Sequence, residues 1–165
     1  MQKLTQTKLK ELLDYDPLTG VFVWKTRPAN CIHIGDIAGS VNNYGYGQIQ
    51  IYGKNYSSQR LAWLYVHGTW PEFQIDHRNH NRVDNRIANL RDVTPVGNGQ
   101  NRIKAQANNL SSGLLGASFN KRCGQFSAQI NVSGKRVHIG YFDDAESAHA
   151  AYLVAKREHH STCTI

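Results

Sequence analysis

The chain has 165 residues, 40% of them hydrophobic, enough for one ordinary domain or two very small ones and too few for a large multidomain enzyme. A formal net charge of +7 and a pI near 9.5 favour a polyanionic partner such as nucleic acid. The opening MQKLTQTKLKELLDYD is too polar for a signal peptide, and no later stretch approaches the ~20 apolar residues of a bilayer span, so a soluble, cytoplasmic protein is expected. Cys31, Cys123 and Cys163 are scattered and never form a Cys-x-x-Cys pair. They support neither a disulfide framework nor a structural zinc site.

Taken in chain order, Leu9, Leu12 and Leu13 recur at helical spacing after Thr5, a natural N-cap, and Asp16-Pro17 stops the pattern, predicting a helix over 5–14. The β-rich runs Val21–Trp24 and Tyr46–Tyr52, set between glycines, predict a small antiparallel sheet over 20–53. Leu61, Leu64 and Tyr65 then fit a buried helix from Ser57 to His67, ended by Gly68. Residues 72–104 are dense in Asp, Asn, His and Arg and offer few apolar side chains, so something other than core packing must account for them. The Asn/Ser/Gly-rich stretch 105–113 reads as a linker.

Beyond it the period changes to two. Phe126, Ala128, Ile130 and Val132 fall on one face of a strand and Gln125, Ser127, Gln129 and Asn131 on the other. Ser133-Gly134 is a tight-turn signal, and the next strand sets Val137 and Ile139 inward and Arg136 and His138 outward. Asp143 or Asp144 caps a last helix carrying Ala148, Ala151, Tyr152 and Ala155 on one face. A three-stranded sheet backed by one helix is expected.

The chemistry concentrates in IDHRNHNRVDNRIANLRDVTPVGNGQN, which holds Asp76-His77, then Asn89 twelve residues after the histidine, then Asn98 and Asn101. Phosphodiester cleavage needs a deprotonated water, neutralised charge at the phosphorus and a stabilised leaving oxygen. Mg²⁺ is typically held by one or two protein oxygens plus phosphate and water, which Asp76 and Asn98 could supply. A histidine with a pKa of about 6.5 suits a base near neutrality, and His77 takes that role, with His80 as the lesser alternative at a loop tip. No Ser, Lys or Cys has a nearby His–carboxylate pair, which argues against covalent catalysis.

This run, from Tyr56 to Arg102, resembles the HNH family of phage and homing endonucleases, whose active site is a ββα-metal motif. The resemblance implies His77 as general base, Asn89 as a brace for the histidine-bearing loop, and Asp76 with Asn98 as ligands of a divalent metal, Mg²⁺ first and Mn²⁺ second. The upstream QRLAWLYVHGTWP also resembles this family, except that Gln59 stands where a histidine is common. Arg60, Arg78, Arg82, Arg86 and Arg91 read as contacts to the phosphates of the DNA.

The C-terminal SGLLGASFNKRCGQFSAQINVSGKRVHIGYFDDAESAHAAYLVA resembles the APETALA-type domain of plant ethylene-response factors, which lays a three-stranded sheet into the major groove. That resemblance implies DNA contacts from Lys121, Arg122, Gln125, Gln129, Asn131, Arg136 and His138. Arg pairs well with guanine edges and Gln or Asn with adenine edges there.

The expected protein is α+β: an HNH domain over 1–104 (core 56–102) that includes a small antiparallel sheet, a linker over 105–113, and a DNA-binding domain over 114–165. It would hydrolyse duplex DNA, one strand per active site, hence by nicking. A non-catalytic, sequence-specific DNA-binding regulator derived from a nuclease is the alternative.

Overall fold

A computed structural model describes residues 4–105, 109, 111–160 and 162–164. It divides into two compact units, one ending at Thr94 and the other beginning at Pro95. No helix among the described residues is long and apolar enough to cross a membrane.

The first unit opens with helix α1 (Gln6–Leu12), whose N-cap Thr5 accepts the Lys8 amide through its hydroxyl at 3.3 Å. The helix ends before the residues that its periodicity alone would include. Leu13 and Tyr15 are buried on either side of exposed Asp14, a period of two that makes Leu13–Tyr15 strand β1. It pairs antiparallel with β2 (Phe22–Trp24) across the turn that Asp16 organises by accepting from the Leu18 amide and the Thr19 hydroxyl.

The single sheet expected over 20–53 is corrected to two. Strand β2 spends one edge on β1 and the other on the segment 36–38, where the Trp24 amide donates to Asp36 and the Ala38 amide to Phe22. No edge of β2 remains for the later strands. Those strands, β3 (Ser40–Val41), β4 (Gly47–Ile51) and β5 (Lys54–Ser57), form their own antiparallel sheet in the order β3-β4-β5.

Helix α2 (Ser58–His67) follows directly and stops at Gly68, which takes the left-handed conformation at φ 78°. Leu61, Ala62 and Leu64 bury its inner face in a cluster with Leu9, Leu13, Phe22, Trp24, Ile49 and Leu90. At ~1.5–3 kcal/mol for each large apolar side chain removed from water, this cluster is the main hydrophobic anchor of the unit. Against it lies a hairpin of β6 (Gln74–His77) and β7 (Leu90–Val93), with a short 3₁₀ turn over Ile87–Asn89.

The second unit contains helix α3 (Pro95–Gln100), strands β8 (Ala117–Asn120), β9 (Gln125–Val132) and β10 (Lys135–Phe142), and helix α4 (Ala145–His159). The sheet is antiparallel in the order β10-β9-β8, and α4 covers one face of it through Ala148 and Tyr152. Ser133 and Gly134, at φ 50° and 80°, make the tight β9–β10 turn. Asp144, not Asp143, caps α4, accepting the Ser147 amide at 2.7 Å.

The sequence set a boundary between residues 104 and 105, whereas the compact units meet at Thr94 and Pro95. The difference comes from hydrogen bonds that join residues 95–104 to the C-terminal end of the chain. Thr162 donates its hydroxyl to the Gly97 carbonyl at 2.6 Å, Thr164 donates to the Asn101 side chain at 2.7 Å, and the buried Lys156 ammonium donates to the Arg102 carbonyl. Of the expected linker, residues 106–108 and 110 lie outside the described residues. Asn109 belongs to the fold of this unit, its amide group donating to the carbonyls of Leu114 and Ala117.

Candidate active site

Two adjacent residues of one strand begin the site. In β6 both Asp76 and His77 are buried, and the register sets Asp76 opposite Arg91 and His77 opposite Leu90. Alternation sends the two side chains to opposite faces of the hairpin.

The His77 ring meets a residue to which sequence reasoning gave no role. Its Nε2 lies 3.2 Å from the side-chain oxygen of buried Asn85. Since that oxygen can only accept, Nε2 carries the proton and Nδ1 keeps the lone pair that a base requires. The Asn85 amide nitrogen donates to Val83 O, which orients the oxygen toward the histidine. The Asn85 carbonyl accepts the hydroxyl of Tyr15, from a strand 70 residues away, at 2.7 Å. Asn85 lies within VDNRIANLR, so its motif was visible, but nothing in the sequence announced a partner so remote.

Burial is the largest influence on His77 and pushes its pKa below the usual 6.5, while the Asn85 hydrogen bond pulls in the other direction. At neutral pH the imidazole is therefore in its basic, uncharged form. The ring of Tyr46 lies 6.1 Å from it, centroid to centroid.

Asn89 sits at the far end of the loop that begins after His77. Its side-chain oxygen accepts the Asn79 amide at 3.0 Å, its amide group donates to the Asp84 carbonyl at 2.8 Å, and its carbonyl accepts the Arg78 amide at 2.9 Å. One buried asparagine thereby pins the segment 78–84 at both ends, by its carbonyl at Arg78 and by its carboxamide at Asn79 and Asp84. His80 lies within that segment at φ 62°, a left-handed conformation.

The arginines divide by environment. Arg91 is no solvated clamp: its Nε and a terminal nitrogen donate to the same oxygen of Asp76, at 2.9 and 2.7 Å, and both side chains are largely buried. Arg86 pairs with Asp84 and is the first cause of that carboxyl's fall to about 2. Arg82 lies over the Tyr46 ring, 4.9 Å from its centroid, and donates to the Tyr44 carbonyl. Arg60 donates to the Phe73 carbonyl and stands over Trp70. Arg78 is exposed, next in sequence to the histidine. Gln59 is buried and its side-chain oxygen has no hydrogen-bond partner, so it sits inside α2's packed face and not on an open surface. Asn98 belongs to α3 of the second unit.

In that second unit the register aligns a polar face. Arg136 is opposite Asn131 and His138 opposite Gln129; Ser118 and Asn120 from β8 face Ser127 and Gln125. An irregularity between His138 and Gly140 shifts the register, so that Tyr141 joins this same face and its ring packs 4.5 Å from that of His138. Two details depart from simple alternation. Ser127 points outward yet is buried, because Gln129 donates to its hydroxyl and His138 Nδ1 lies 3.2 Å from it. Val137, expected inward, is 44% exposed. Gln125 donates to Asp143 at 3.0 Å, and Lys121 and Arg122 stand exposed in the β8–β9 turn.

Residues 56–100 match the family model described as HNH endonuclease, a span that contains α2, the β6–β7 hairpin, Asp76, His77, Asn85 and Asn89. A solved structure concerned with DNA binding and cleavage by the HNH homing endonuclease I-HmuI is similar at 21% identity and a TM-score of 0.45, covering 61% of this chain and 57% of that one. This chain therefore spans little more than half the length of that relative. No curated protein matches, and the APETALA-type resemblance of the C-terminal residues finds no support in these comparisons. Residues 56–100, which hold the buried Asp76-His77 pair and its asparagine partners, are thus the part of the chain that is similar to HNH endonucleases.

Proposed function

We propose that the protein is a metal-dependent endonuclease that nicks duplex DNA, with His77 as general base. The observation that carries this reading is the buried, uncharged His77 whose Nε2 is fixed by Asn85. A base must be unprotonated at working pH and oriented in advance, since only a positioned proton acceptor lowers the barrier of the chemical step. Asn85 fixes the tautomer, Tyr15 holds Asn85, and Asn89 holds the loop that joins His77 to Asn85.

The donor chemistry suits a hard divalent cation. Asp76 presents a carboxylate, a hard oxygen donor of the kind such ions prefer, next to Arg91. One or two protein oxygens completed by phosphate and water are the usual holding set for Mg²⁺. Asp76 would hold the ion. When bound, such a cation neutralises charge building on the phosphate and leaving oxygen. The exposed Arg78, with Arg82 beside Tyr46, would bind the DNA backbone, and the polar sheet face bearing Gln129, Asn131, Arg136 and His138 would read the major groove.

The deciding experiment is conversion of supercoiled plasmid to nicked circles with Mg²⁺, Mn²⁺ or EDTA, wild type beside His77→Ala. Metal-dependent nicking that the variant loses, with DNA binding kept, supports the assignment; equal nicking by both refutes it. The Arg91–Asp76 ion pair favours one other reading, a DNA-binding regulator whose carboxylate is occupied. That reading requires tight binding in EDTA and no nicking with any metal.

A further inference from the structure

The first unit carries a second surface that the proposed chemistry does not use. An open groove of about 1100 Å³ runs between the start of α1, the β4–β5 turn and the residues after α2. Its lining includes Lys8, Lys54 and Arg60 and no carboxylate, although Lys8 also reaches Glu11 outside the groove at 2.6 Å. Interleaved with the cations are three aromatic rings. Tyr56 and Trp70 stack at 5.8 Å with an interplanar angle of 22°, and Tyr52 stands at the rim, 70% exposed.

The cations are arranged on the rings. Lys54 lies 5.3 Å from the centre of Tyr56 and Arg60 lies 5.8 Å from that of Trp70, distances at which a cation is held by the ring face. Tyr52 occupies the first position of the Tyr52-Gly53 turn at φ 51°, a conformation that glycine or asparagine adopts cheaply and a bulky residue does not. An exposed ring held at a strained position is better explained by a contact it makes than by the fold of the turn.

We propose that this groove binds an unpaired nucleic-acid strand, its cations tracking the phosphates and the exposed Tyr52 ring offering a face to a base. Duplex DNA hides its base faces inside the stack and would use only the cations. An unpaired strand uses both, since every base has a face to stack. The proposal rests on the nucleic-acid-directed reading of the chain, and its test is independent of cleavage.

The experiment is fluorescence anisotropy of the full chain with labelled oligo(dT) and with a labelled duplex of equal length, in EDTA. The variants are Tyr52→Ala and Lys54→Ala, both on the exposed turn, with circular dichroism verifying the fold. Stacking contributes ~1–3 kcal/mol per base, so Tyr52→Ala should weaken oligo(dT) binding by roughly 5- to 150-fold and leave duplex binding within twofold. Lys54→Ala should weaken oligo(dT) binding and steepen the loss with salt less than wild type. Absent oligo(dT) binding, or an unchanged affinity in Tyr52→Ala, overturns the proposal. Equal loss for both nucleic acids also overturns it, leaving a general phosphate surface. None of these outcomes bears on whether His77 supports nicking.

Discussion

Asn85→Asp would test the assignment of the base most sharply, because it changes one atom and reverses a known electrostatic balance. In the native protein burial holds the His77 pKa below 6.5, opposed by the hydrogen bond that Nε2 donates to Asn85 at 3.2 Å. A carboxylate in that place favours the imidazolium. An opposite charge within about 4–6 Å raises a histidine by ~1–3 units, and the low exposure of both residues puts this site toward the upper part of that range. The sign follows directly: a base works unprotonated, so activity rises with pH through its pKa, and raising the pKa moves the acidic limb of the profile upward. Single-turnover nicking from pH 5 to 9 should show that limb displaced by about 2 units toward higher pH, with a loss at pH 7 that is recovered at high pH. Asn85→Ala should do the opposite to the limb, since it removes the contact that raises His77, and should lower the plateau by freeing the ring. A limb at its wild-type position in Asn85→Asp would refute the reasoning, whichever residue then proved to be the base.

Two further outcomes follow from the packing of each unit. Arg91→Met should destabilise the first unit by about 3 kcal/mol, because it removes one partner of a nearly buried, doubly hydrogen-bonded ion pair; urea denaturation should show part of that loss restored in the double variant Arg91→Met/Asp76→Asn, and full additivity would count against the pair. Gly116→Ala should cost about 2 kcal/mol or more in the second unit, since Gly116 has φ 77° and an added Cβ would sit 2.0 Å from the Tyr152 ring. Unaltered thermal unfolding of that variant would show that Tyr152 does not pack there.

Much of this protein was legible without a structure, and the reason is that its signals are local. Thr5 before a leucine period, Gly68 after one, the strict alternation from Gln125 to Val132 and the Ser133-Gly134 turn each act over a few residues, and the elements formed where those signals stood. The HNH stretch was readable for the same reason, since its residues lie within one short run that a motif can hold. Pairing choices were not readable. Whether β2 meets β1 or β4 depends on which edge is already occupied, and whether residues 95–104 belong with what precedes or follows them depends on hydrogen bonds from Lys156, Thr162 and Thr164, some sixty residues on.

The site divides along the same line. Sequence alone supplied the chemical types at the candidate site: an aspartate and a histidine side by side, an asparagine twelve residues later, and arginines around them. Only the tertiary structure turned Arg91 onto Asp76, brought Tyr15 to Asn85 and Asn85 to the imidazole, and withdrew Gln59 into the packed face of α2. A residue's type fixes which charges and hydrogen bonds it can offer. Its partners, and the burial that tunes its pKa, are set by chain segments too distant in sequence for any local pattern to report.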